Sequence, residues 1–162
     1  WYTLCKLAGD LPMILVFSVI IGIFLAPQMY PGGCVRFLIA ILLLLLVVSM
    51  LKQTCASIAT RSLWAYRPKV PNYPWSPGFP SSHAATMSLF STVILLSSCG
   101  YTHFRRVAFG ITLILTTIIV CLQRYMTSAH SQVQLCAGLL AGICAGIIYS
   151  STLPRPACRR CR

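Results

Sequence analysis

Residues 42–48 read Leu-Leu-Leu-Leu-Leu-Val-Val, without one polar side chain. They lie inside a longer apolar run, Val35 to Ala59. A helix crossing a bilayer needs about 20 apolar residues, with 17–25 common. Lipid offers the backbone no hydrogen-bond partners, so such a run is helical. Four more runs appear: Leu11 to Ala26, ending at Pro27; the stretch that begins after Ser82 and runs to Ser98, closed by Gly100; Val107 to Leu122; and Val133 to Tyr149, followed by Pro154. The sequence predicts an all-α fold, a polytopic membrane bundle of about five transmembrane helices. Gly138, Gly142 and Gly146 repeat every fourth residue beside Ala137, Ala141 and Ala145. That is a small-residue stripe for close helix packing.

Composition agrees. The chain has 162 residues, 57% hydrophobic and 9% charged, with a mean hydropathy of +0.81. Soluble domains carry roughly 25% charged residues. Thirteen Lys and Arg face a single acid, Asp10. The bases sit between apolar runs rather than along a stripe, which argues against nucleic acid and for headgroups or a phosphorylated ligand. With one acid there is no carboxylate pair for acid/base work and no cluster for Mg²⁺. Cofactors are expected to be none, and phosphate chemistry must run on histidine. Cys55, Cys99, Cys121, Cys136 and Cys144 lie in or beside apolar runs and read as small packing residues. Cys158-x-x-Cys161 is a lone pair in a basic tail, closer to S-acylation than to zinc. One domain is expected over 1–162, with its motif-bearing core at about 52–146 and a basic tail at 154–162.

The longest connection, Thr60 to Pro80, holds five prolines among Trp64, Tyr66, Tyr73 and Trp75. It fits an interfacial anchor and a lid over a site equally well. Five spans place this loop and the Arg124–His130 segment on one side. Arg36, Arg105, Arg106, Arg155, Arg159, Arg160 and Arg162 fall on the other. The positive-inside rule makes that second side cytoplasmic, so the first side faces the lumen of an organelle or the exterior.

Three short stretches meet on that first side: Arg67-Pro68, Pro80-Ser81-Ser82-His83, and Arg124 with His130 six residues later. Serine before an apolar helix is an N-cap, and the helix N-terminus is an anion site. Arginine offers phosphate a planar fork. Phosphotransfer through histidine needs one neutral, nucleophilic imidazole and one protonated imidazole for the leaving oxygen. His83, His130, Arg67 and Arg124 supply that set. His103, in the opposite turn, receives no role.

These residues resemble the type 2 phosphatidic acid phosphatase superfamily, whose signature is Lys-x6-Arg-Pro, Pro-Ser-Gly-His and Ser-Arg-x5-His. Arg67-Pro68 matches the end of the first motif, Pro80 to His83 the second with Ser82 for glycine, and Arg124 to His130 the third with Gln123 for serine. The resemblance implies a PAP2-like bundle in which His130 is the nucleophile and His83 the general acid. It implies that Arg67, Arg124, Ser82, Ser81 and backbone amides near His83 hold phosphoryl oxygens. The first-motif lysine falls at Thr60, so Arg61 and Lys69 are the neighbouring candidates for that charge. Gln134, four after His130, stands where many members have an aspartate that orients the nucleophile. The dolichyl diphosphate phosphatases look similar there, with Gln at that place, Gly four residues further on (here Gly138) and Pro-Ser-Ser-His as second motif. The resemblance therefore implies a metal-independent polyisoprenyl diphosphate phosphatase of the endoplasmic reticulum membrane, with its site in the lumen. A broader phosphatidate or sphingoid-phosphate phosphatase, and an inactive phospholipid-binding scaffold, are the alternatives.

Overall fold

The computed structural model describes Ile14 and residues 33–59, 65–66, 77–96 and 103–152. Four helices account for most of them: α1 (Gly33–Ile58), α2 (Ser82–Leu96), α3 (His103–Met126) and α4 (Gln132–Thr152). Among the described residues there is no strand, only an isolated antiparallel bridge between Tyr66 and Pro77. Val35–Ile58 and Gln132–Thr152 are long and apolar enough to cross a membrane, while Ser82–Leu96 and Gly110–Met126 are shorter apolar helices. The fifth expected span, Leu11 to Ala26, lies outside the described residues except for Ile14, which is helical.

The short α2 is the centre of the bundle. Nearly all of Ala84 to Val93 is buried, and α4, α3 and α1 pack around it. Its contact with α4 is backbone to backbone. A Cβ at Gly138 would collide with the Ser81 carbonyl, one at Gly142 with the Ala85 carbonyl and the Ser88 hydroxyl, and one at Gly146 would stand 2.7 Å from Thr92 Cβ. The glycine stripe thus lets α2 sit in α4, as small residues do where lipid supplies no hydrophobic drive between helices. Ser88 Oγ crosses the contact to the Leu139 carbonyl at 3.0 Å. Ser91 and Thr117 hydroxyls pair at 3.1 Å between α2 and α3. On α1, Ile41, Leu44 and Val48 pack against Ala85, Leu89, Phe90 and Val93. Phe37 closes the far end, edge-on to Phe90 with ring centroids 5.0 Å apart. Leu42, Leu43, Leu46 and Val47 point outward, as suits a face toward lipid.

The buried stripes have a consequence for position. On α1 the packed residues Ile41, Leu44 and Val48 are followed, one turn on, by Lys52. On α3, Gly110, Leu113, Thr117 and Val120 are followed by Arg124. On α4, reading backward, Gly146, Gly142 and Gly138 lead to Gln134. Spacings of three and four residues keep a helix face in register. The same periodicity that packs the bundle therefore delivers an ammonium, a guanidinium and an amide to one end of it, beside the N-terminus of α2.

Candidate active site

The chain between α3 and α4 fixes how Arg124 and His130 relate. Helix α3 runs a turn beyond the expected Leu122, so Arg124 lies in its last turn rather than in a loop. Ser128 then adopts a left-handed conformation, with φ 53°. The N–H of Ala129 donates to Arg124 C=O at 3.0 Å and that of Ser128 to Tyr125 C=O at 3.0 Å. This is the Schellman closure, with serine where glycine is usual. His130 N–H donates to the same Arg124 carbonyl at 3.3 Å. The six-residue interval between Arg124 and His130 is thus the length of one helix cap.

Helix α4 opens with a capping box. Gln134 N–H approaches Ser131 Oγ at 3.4 Å, and Ser131 N–H donates back to Gln134 Oε1 at 3.1 Å. The pattern Ser131-x-x-Gln134 dictates it. Gln134 is fully buried and makes three further bonds. Its Oε1 accepts from His130 Nδ1 at 3.1 Å. Its Nε2 donates to the Tyr66 carbonyl at 2.7 Å. Its own backbone carbonyl takes the N–H of Ser81 at 3.0 Å. The two backbone partners, a donor at Ser131 and an acceptor at Tyr66, fix which end of the amide is oxygen. Oxygen has no hydrogen to give, so His130 Nδ1 carries the proton and Nε2 bears the ring lone pair. His130 itself is 2% exposed.

Across from it, helix α2 begins. Ser81 is the cap: it is fully buried and its carbonyl receives the Ala85 N–H at 3.0 Å. Ser82 Oγ accepts from Lys52 Nζ at 3.1 Å. Arg124 Nη2 lies against His83 Nε2. Six residues named from sequence, His83, His130, Arg124, Ser81, Ser82 and Gln134, are therefore drawn into one cluster. Arg67, Arg61 and Lys69 lie outside the described residues. The base of the proline-rich loop is pinned beside the cluster, with Gly78 N–H on Ala65 C=O at 2.8 Å and Tyr66 Oη on Ala56 C=O at 2.9 Å. Gly78 is required there, because a Cβ would stand 2.6 Å from Gln134 Oε1.

Lys52 is the member that the sequence places on the motif side without naming it as a site residue. The position matching the first-motif lysine by spacing is Thr60, and Lys52 lies about two turns upstream. The signal was present: it is the one charge within an apolar helix after Arg36. A charge inside such a helix marks a functional position by default. Lys52, Arg124 and the positive end of α2 converge where the described residues contain no Asp or Glu. That field suits an anion with several oxygens. Among the described residues no group of three or more His, Cys, Asp or Glu is placed to hold a metal ion.

Gln134→Glu tests the clamp. A carboxylate keeps the acceptor for His130 but turns an oxygen toward the Tyr66 carbonyl, leaving two acceptors face to face. The expected result is a loss of about 1–3 kcal/mol of stability and a clear drop in catalytic efficiency. Wild-type Tm and kcat/KM in this variant would show that the amide does not couple the loop to His130.

The PAP2 superfamily family model matches residues 33–156. No curated protein and no solved structure matches the chain. The matched region takes in all four described helices and every residue of the cluster, and the chain belongs to the PAP2 superfamily, which implies phosphatase-type activity on phosphate esters.

Proposed function

We propose that the protein is a membrane phosphatase that removes phosphate from a polyisoprenyl diphosphate, such as dolichyl diphosphate, through a phosphohistidine. The observation that carries this reading is the buried His130, its Nδ1 proton held by Gln134, which also bonds the start of α2, where Lys52 and Arg124 meet Ser82 and His83.

In the first step His130 Nε2 attacks phosphorus and the bond from phosphorus to the bridging oxygen breaks. His83, protonated, gives that oxygen its proton, so the lipid monophosphate leaves. In the second step water attacks the phosphohistidine. His83, now neutral, takes the proton, phosphate departs and His130 returns to its starting state. Arg124, Lys52, Ser82 and the first backbone N–H groups of α2 hold the phosphoryl oxygens, with Arg67 and its neighbours Arg61 and Lys69 as further cationic donors. Fixed donors of this kind stabilise charge spread over the equatorial oxygens. Arg124 then exchanges its contact with His83 for one with the phosphoryl group.

The reaction so written needs no metal. Phosphate release from a panel of lipid phosphates and diphosphates is expected to persist in EDTA. The polyisoprenyl diphosphate is expected to be the best substrate. Loss of activity in EDTA, restored by Mg²⁺, would contradict the histidine mechanism. A preference for phosphatidate or sphingoid phosphates would favour the broader lipid phosphatase, and no release from any substrate would favour the phospholipid-binding scaffold.

The proposed location is the endoplasmic reticulum membrane, with five spans and the site toward the lumen. Arg36 and Lys52 lie toward opposite ends of α1, separated by roughly 24 Å at 1.5 Å per residue, which supports putting the arginine-rich side opposite the site. A tag on the C-terminal tail is expected to be cytosolic and a probe at Tyr73 to Gly78 lumenal. Reversed labelling would move the site to the cytoplasm.

A further inference from the structure

Between α2, α3 and α4 runs an apolar groove with a cavity volume of about 660 Å³. It begins beside the cluster, at Tyr125 and Gln132, which adjoin Arg124 and lie two residues from His130 and Gln134. It runs along the helices to Leu95 and Ile143. Along α4, Gln132 to Ile143 measures roughly 16 Å at 1.5 Å per residue, about half of a ~30 Å hydrocarbon core.

Its walls say what it takes. Ser88, Ser91 and Thr117 line it, but their hydroxyls already have partners: Ser88 the Ala84 carbonyl at 2.8 Å, and Ser91 and Thr117 each other at 3.1 Å, beside the Met87 and Leu113 carbonyls at 3.0 and 2.7 Å. The groove is therefore largely apolar: apart from Thr92, Tyr125 and Gln132, the rest of the lining is Leu, Ile and Cys. A cavity of ~150 Å³ holds one benzene. This one has room for roughly four groups of that size, which is about four isoprene units.

We propose that this groove seats the first part of the substrate's lipid tail, about four isoprene units, while the phosphate lies at Lys52, Arg124 and His130. The proposal rests on the phosphatase reading of that cluster. One molecule then satisfies both features: its anionic head meets the cationic end of the bundle and its tail enters the apolar groove that opens beside it. The groove makes the site select long-tailed over short-tailed phosphates.

Two measurements test this. Ile118→Trp and Cys136→Trp fill the groove, and Leu115→Trp, on the exposed face of α3 outside it, is the control. Filling an apolar pocket is expected to cut kcat/KM for a polyisoprenyl diphosphate roughly 10–100-fold. The five-carbon isopentenyl diphosphate and the Leu115 variant should be unaffected. Equal losses on both substrates, or none on either, overturn the tail site. The second measurement needs no turnover. Cys136 lines the groove and Cys144 does not, and both are exposed thiols. Hexadecylphosphonate is expected to slow alkylation of Cys136 by a membrane-permeant thiol reagent, read by peptide mass spectrometry, without slowing that of Cys144. Methylphosphonate should slow neither. Protection of both thiols alike means general coating by lipid and overturns the proposal, as does protection of neither. Selective protection in a protein that releases no phosphate would keep the groove and remove the phosphatase reading instead.

Discussion

His130→Ala is expected to stop phosphate release altogether, on every substrate. The substitution removes the attacking nitrogen, so no covalent phosphoenzyme forms. It also takes the His130 donor from Gln134 Oε1 and leaves that of Ser131 N–H, a local change at a cap that persists. His83→Ala is expected to fail differently. It spares the nucleophile and takes away the proton for the leaving oxygen, a contribution of about 10²–10⁴-fold. An activated aryl phosphate needs no such proton, so the deficit should shrink with that leaving group. Near-normal activity of His130→Ala, or equal losses for both variants on every leaving group, would contradict the assigned roles.

Lys52→Met carries the next largest expected effect. Methionine keeps much of the length and apolar stem of lysine on the packed face of α1 and removes only the ammonium that meets Ser82. Loss of one fixed donor to transition-state oxygens typically costs about 10²–10³ in kcat. Inorganic phosphate should also inhibit this variant more weakly, because the product binds the same cations. Lys52→Arg should recover part of the activity. Unchanged turnover and unchanged phosphate inhibition in Lys52→Met would remove the ammonium from the site and leave it a structural contact to Ser82.

The contrast between Lys52 and His130 shows what the sequence made legible. Runs of Leu, Ile and Val announce helices because lipid allows few alternatives, and four of the five expected runs are helical where the structure describes them. His83, Arg124 and His130 stood out because their neighbours are short motifs with a local geometric cause: an N-cap for the first, a helix C-cap for the interval between the other two. Gln134 was legible as an orienting group four residues after His130. Its second task, gripping the Tyr66 carbonyl, was not, since that contact joins residues far apart in the chain. Lys52 was hidden for the same reason. Its ammonium reaches Ser82 across the α1–α2 contact, so counting residues back from Arg67 pointed to Thr60 instead. The groove was equally invisible, because Cys121 and Cys136 read as packing residues until three helices are set side by side.

The most direct test is to look for the covalent bond itself. The protein, and its His83→Ala variant with an aryl phosphate, would be mixed with substrate, quenched in alkali within milliseconds, digested and analysed by mass spectrometry. A phosphoryl group on His130, lost in acid and retained in base, absent from His130→Ala and formed in EDTA, is the predicted result. Substrate turnover with no phosphoryl group on His130 at any time, or with the label on another residue, would contradict it.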